Sequence, residues 1–199
     1  MLFCTGTWIS RAEILTAAHC VSAQIEADMD EDDDFDPKAP PVSVWSKTAL
    51  HYYTQEESRE VKQEPSAVHL GSVVKWNHLH DLALITALPP YPDHDSASIP
   101  DTSPSIGDEL HFMGHTKSMG WTYAKGYVSA YRNSLPMDAG GPYLEVQAPI
   151  YFGNSGGGCF DSSGGLVGVA DFLAPAPGIA FCIALGSVRL FLDPSTPQR

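Results

Sequence analysis

The five residues Gly153-Asn154-Ser155-Gly156-Gly157 constrain this chain more than any other feature. Far upstream of them stand Thr16-Ala17-Ala18-His19-Cys20 and His80-Asp81-Leu82-Ala83-Leu84-Ile85. A base, an orienting carboxylate and a nucleophile thus occur in the chain order His, Asp, Ser. Unrelated folds that carry such a set use different orders, so the order restricts the fold as well as the chemistry.

A serine hydroxyl is a weak nucleophile at neutral pH and needs a base within hydrogen-bond reach. Histidine suits that role because an ordinary imidazole is mostly neutral near pH 7. Its Nε2 must face the hydroxyl, so Nδ1 carries the proton. A buried carboxylate accepting that Nδ1–H fixes the tautomer and stabilises the imidazolium. These requirements assign His19 as base, Asp81 as orienting group and Ser155 as nucleophile. The glycines serve the oxyanion that forms on an attacked carbonyl, where a sharp turn must aim two backbone N–H groups at one point. Gly153 supplies freedom in φ and no obstructing side chain, so the amides of Gly153 and Ser155 are the expected oxyanion hole. Taken singly, the glycine-rich segment reads equally as a plain turn and His19 as a hydrogen-bonded core histidine. The agreement of order and flanking apolar strands favours the catalytic reading.

At these residues the chain resembles the trypsin-like, chymotrypsin-fold serine peptidases. Phe3-Cys4 through Thr16-Ala17-Ala18-His19-Cys20 is similar to the strand–turn–strand that delivers the catalytic histidine there. Cys4 and Cys20 match the cysteines of that family's disulfide beside the histidine. The second half is closer to the bacterial branch, which includes the Htr-type heat-shock proteases. Gly107-Asp108, Phe112-Met113-Gly114 and Gly126-Tyr127-Val128-Ser129-Ala130 resemble the strands opening the second barrel of that branch. Ala148-Pro149-Ile150 and Gly178-Ile179-Ala180-Phe181-Cys182-Ile183 continue the match.

The resemblance implies an all-β fold of two packed six-stranded antiparallel barrels with a short C-terminal helix. His19 and Asp81 would come from the first half, Ser155 from the second, and the three would meet in the cleft between. It implies a serine endopeptidase acting on proteins or peptides through an acyl-enzyme, with no cofactor. Three departures carry expectations. Asn154 stands where digestive trypsins keep the aspartate that binds a freshly cleaved N-terminus; the bacterial enzymes share this asparagine, so no such activation is expected. The chain opens almost at Phe3, so the first barrel is expected to lack its N-terminal strand, or the sequence to be a fragment. Nothing after Arg199 forms a PDZ domain, which argues against a PDZ-regulated cage and for a monomer.

With 199 residues the chain fits a single peptidase domain in two halves, residues 1–90 and 105–199, joined by a proline-rich stretch from Leu88 to Pro104. Trp8-Ile9-Ser10, Val42-Ser43-Val44-Trp45, Ser72-Val73-Val74-Lys75-Trp76 and Leu166-Val167-Gly168-Val169 read as strands between turn signals. Ser187-Val188-Arg189-Leu190-Phe191-Leu192, stopped at Asp193-Pro194, reads as a helix. The formal charge of −13 opposes a nucleic-acid partner, which needs a cationic footprint. Much of the acidity lies in one insertion, Glu26 to Asp36, read as a solvated loop. Calcium binding is its functional alternative, although the run lacks the glycine and distal glutamate of an EF-hand. A rim that repels acidic substrates or attracts basic ones is another.

Four cysteines allow three pairings. Cys4–Cys20 is the pair the resemblance implies, while Cys159 and Cys182, expected on neighbouring strands, either pair or remain buried thiols. Paired cysteines favour a secreted or extracytoplasmic location, yet residues 1–20 lack a signal-peptide pattern. No stretch is long enough to span a membrane as a helix. His78 and His80 alternate as two residues on one strand face do, but nothing completes a metal site around them and no metal is expected. His111 and His115 are read as structural. The resemblance aligns Pro149 with the position where trypsins keep a cation-binding aspartate, which implies an uncharged pocket shaped by Ile150, Tyr151 and Phe172. Asp171 has two placements open. In the pocket it favours basic substrates; beside Asp81 it sets two like charges against each other.

Two other readings use the same residues. A catalytically silent homologue that binds protein through the cleft is disfavoured by an intact set of three groups, and favoured by a missing first strand that displaces His19. Esterase-like acyl transfer to small substrates needs no change in the site.

Overall fold

The computed structural model describes residues 4–21, 70–88, 95–116, 121–135, 140–174 and 176–195. The acidic run and Val42–Trp45 lie outside them. In chain order the described elements are β1 (Thr7–Trp8), β2 (Glu13–Ala17), a 3₁₀ turn (Ala18–Cys20), β3 (Leu70–Asn77) and β4 (Leu82–Leu88), then β5 (Glu109–His115), β6 (Trp121–Arg132), β7 (Tyr143–Gln147), β8 (Gly158–Phe160), β9 (Leu166–Leu173), β10 (Ile179–Ala184) and α1 (Leu185–Leu192). Among the described residues the first half is a four-stranded sheet in the order β1-β2-β4-β3. The second half closes into a six-stranded barrel, β10-β7-β6-β5-β8-β9. All pairings are antiparallel, so this is the all-β, chymotrypsin-like architecture that the sequence resembles.

Burial explains the strands. β5 alternates strictly, with Leu110, Phe112 and Gly114 inside the barrel and their neighbours facing outward. β9 is buried along most of its length because it has cores on both faces. Val167 and Ala170 join Leu110, Phe112, Leu144 and Val146 within the barrel. Leu166 and Val169 instead pack with Leu15, Leu82 and Leu84 of the first sheet. That second cluster, which also takes in Tyr143, Ile183, Val188 and Phe191, fuses the two halves. The proline-rich connection reinforces the join, with Ala97 N–H donating to the Trp8 carbonyl and Leu166 N–H to that of Ser98, each at 2.8 Å.

The helix begins two residues earlier than the sequence pattern indicates, at Leu185, and buries Leu185, Ser187, Val188 and Phe191. Arg189 ties it to the connection through the carbonyl and carboxylate of Asp101. Both disulfides form, Cys4–Cys20 and Cys159–Cys182, each closing a loop worth about 3 kcal/mol on the chain-entropy account. One expectation needs correcting. Cys159 and Cys182 do not lie on neighbouring strands: β8 and β10 flank β9. The bond crosses over Gly168, where a Cβ would stand 3.2 Å from that of Cys182, so the missing side chain leaves room for the crossing. Among the described residues no helix is long and apolar enough to cross a membrane.

Candidate active site

β2 and β4 pair with Ala17 opposite Leu82. In an antiparallel pair, that register brings the residues after Ala17 beside those before Leu82. His19 in the 3₁₀ turn and Asp81 in the β3–β4 turn therefore meet at the strand ends. The Ala18 amide donates to the Asp81 carbonyl (2.9 Å) and the His19 amide to Asp81 Oδ1 (2.8 Å). His19 Nδ1–H donates to Asp81 Oδ2 at 2.5 Å. The imidazole is 46% exposed while the carboxylate behind it is mostly covered.

The segment carrying Ser155 lies across from this pair. Gly153 and Gly156 adopt φ of +97° and +82°, and a Cβ on Gly156 would collide with the Thr16 side chain and the Thr5 carbonyl. The Ser155 carbonyl accepts from the Thr5 amide (2.8 Å), and the Gly156 amide donates to Ala170 (2.7 Å). The Gly157 amide donates to the Asn154 carbonyl at 2.9 Å. The buried side chain of Asn154 accepts from the Thr116 hydroxyl at 3.1 Å. Among the described residues, the N–H groups of Gly153 and Ser155 have no acceptor. The Ser155 hydroxyl donates to the Asp171 carbonyl at 3.0 Å.

Asp171 joins the two sides. It is the extra residue of a bulge in β9, since Phe172 pairs with Phe181 but Ala170 with Cys182. Bulges re-aim side chains beside functional sites, and here the carboxylate, 6% exposed, sets Oδ1 3.9 Å from His19 Nδ1. Of the two placements the sequence leaves open, the structure shows the one beside the His19–Asp81 pair. Donor atoms of His19, Asp81 and Asp171 all lie within 4.8 Å of one another. A cation held there would compete with Asp81 for Nδ1, the nitrogen already engaged by hydrogen bonding.

The other residues singled out by sequence are dispersed. Ile150 is buried with the barrel interior, and Phe172 packs edge-on to Tyr143 and against Phe181 at ring separations of 5.5 and 5.0 Å. Tyr151 is half exposed, and its neighbour Phe152 is 72% exposed, an aromatic next to Gly153 that the sequence reading passes over. His80 turns toward the second half, donating from Nδ1 to the Gly140 carbonyl at 2.8 Å. His111 pairs with the Tyr123 hydroxyl at 2.6 Å. Burial holds the His115 pKa below its usual value. Thr5, Thr16 and Thr116 also support the Ser155 segment, and their only sequence signal is a hydroxyl close to a motif.

Residues 4–169 match the trypsin-like peptidase domain family, and the chain belongs to it. Among curated relatives, the magnetosome formation protease MamE of Paramagnetospirillum magneticum is 26% identical over 133 residues, 64% of this chain and 18% of that protein. A probable periplasmic serine endoprotease, DegP-like, of Brucella suis is 29% identical over 97 residues, covering 47% and 19%. The chain thus spans about a fifth of the length of these relatives. Among solved structures, the Rv3671c protease of M. tuberculosis in its active form superposes with a TM-score of 0.66 at 17% identity, covering 98% of this chain and 74% of that one. The serine endoprotease of Yersinia pestis gives 0.62 at 21% identity, covering 92% and 54%. These superpositions establish the fold.

Proposed function

We propose that this chain is a serine endopeptidase that works through His19, Asp81 and Ser155. The observation that carries the proposal is the Asp81 carboxylate, which takes both the amide and the Nδ1–H of His19. That arrangement leaves Nε2 as the basic nitrogen. In the reaction the Ser155 hydroxyl turns from the Asp171 carbonyl to Nε2, gives up its proton and attacks the peptide carbonyl. The amides of Gly153 and Ser155 receive the oxyanion. His19 then passes the proton to the leaving amine, and water, activated by the same base, releases the acid and restores Ser155. No cofactor enters any step.

With Asp171 turned to His19, its carboxylate does not serve as a cation-binding group for the substrate, and peptides with uncharged residues before the scissile bond are favoured over those with Lys or Arg. A secreted or extracytoplasmic location is supported by the two disulfides and is in keeping with the periplasmic description of the Brucella relative. The test is labelling of purified protein with a fluorophosphonate, beside Ser155→Ala and His19→Ala. Labelling lost in both variants is the expected result. A folded wild type that takes no label would overturn the enzyme reading and leave a binding module built on the same cleft.

A further inference from the structure

We infer that Thr5 is a positioning residue for the oxyanion hole. This inference rests on the reading of the Gly153 and Ser155 amides as the oxyanion donors. Those two amides flank one peptide unit, Gly153–Asn154, which links the two peptide planes that carry them. The unit is gripped at both ends. Its carbonyl accepts the Thr5 hydroxyl at 2.8 Å, and its N–H donates to the Tyr151 carbonyl at 3.2 Å. Next along, the Asn154 carbonyl accepts from Gly157. What remains among the described residues is the pair of amides on either side, with no acceptor.

Gly153 is the weak point of this arrangement. At φ +97° it has no side chain to restrain rotation, so the restraint must come from partners outside the segment. Thr5 is well placed to supply it. It is 7% exposed, and its hydroxyl oxygen accepts the His115 amide at 3.1 Å. With that oxygen's acceptor direction occupied, the hydroxyl proton is directed at Gly153. Its own backbone is fixed as well: the amide donates to Ser155 (2.8 Å) and the carbonyl accepts the Thr16 hydroxyl (2.7 Å). Through the adjoining Cys4–Cys20 bond the same residue is tied to the neighbour of His19. One threonine from the first half thereby sets the geometry of a loop in the second.

Valine has the shape of threonine without the hydroxyl, and serine keeps the hydroxyl. The experiment compares Thr5→Val, Thr5→Ser and wild type in the acylation burst with p-nitrophenyl acetate, with Ser155→Ala as blank. Backbone amide exchange at Asn154 is measured in parallel. Thr5→Val is expected to slow acylation on the order of ten- to a hundredfold with ester affinity little changed. Exchange at Asn154 should quicken by a similar factor, and Thr5→Ser should restore both. Where the wild type shows a burst, equal acylation in Thr5→Val overturns the proposal. So does unchanged exchange at Asn154, a readout that needs no catalysis. A wild type without a burst, whose Asn154 exchange nonetheless responds to Thr5→Val, sinks the peptidase reading and leaves Thr5 as the residue that orients the loop.

Discussion

Asp81 adopts a φ of +48°, in the left-handed region that residues with a Cβ seldom occupy. Such a conformation costs about 1–3 kcal/mol and persists where the surroundings over-determine it. Here the carbonyl accepts from Ala18 while Oδ1 and Oδ2 accept from the amide and ring of His19, so the backbone and side chain of one residue hold one turn. Asp81→Asn separates the two roles. The amide oxygen still receives the His19 N–H, but an NH₂ then opposes Nδ1 and favours the tautomer protonated at Nε2, which cannot act as base. Burst acylation should fall by a factor on the order of 10⁴ while the thermal midpoint hardly moves. A loss of less than about tenfold would remove Asp81 from the proposed mechanism. His19, Asp81 and Ser155 are legible as candidates because each abuts an apolar strand in an informative order. Asp171 is legible only as a choice between two placements, because its direction depends on a bulge that nothing in Val169-Ala170-Asp171-Phe172 marks.

Strands and turns follow the sequence where burial is one-sided or turn chemistry is explicit. β5 shows its alternation openly, and the Asp161-Ser162-Ser163-Gly164-Gly165 run announces the β8–β9 turn. The disulfide across Gly168 is less legible, since spacing does not reveal that a third strand runs between two cysteines. In that turn Asp161 Oδ1 accepts from the Ser163 amide (2.8 Å), the Ser163 hydroxyl (2.9 Å) and the Gly165 amide (2.9 Å). Partial burial pushes the Asp161 pKa up, but the donors of Gly165, Ser163 and Gly164 outweigh it and hold it below the ordinary aspartate value. A depressed folded pKa stabilises the protein above the unfolded value and loses that contribution as pH falls through the folded one. Asp161→Asn should therefore lower the urea midpoint at neutral pH, with the deficit narrowing once pH drops below about 4. A deficit constant from neutral to acid pH would mean that the charge of Asp161 contributes nothing.

At the scale of the whole molecule, the site depends on two halves behaving as one body. His19 and Asp81 belong to the four-stranded sheet and Ser155 to the closed barrel, so independent motion would part His19 from Ser155. The apolar cluster from Leu15, Leu82 and Leu84 to Leu166, Val169 and Ile183 prevents that, with the α1 residues Val188 and Phe191 beneath it. Leu166 has no exposed surface, and its amide also binds the connecting segment through Ser98. Leu166→Ala should cost about 2.7–5 kcal/mol through lost burial and the cavity left behind. The informative quantity is where that loss is felt. If one core holds both halves, slow-exchanging amides in β2 and β4 lose as much protection as those in β7 and β10, because all open in one global event. If the barrel amides alone lose protection, the halves unfold separately, and the cleft between them is held by the Thr5 contacts to Gly153 and Ser155 rather than by the shared core.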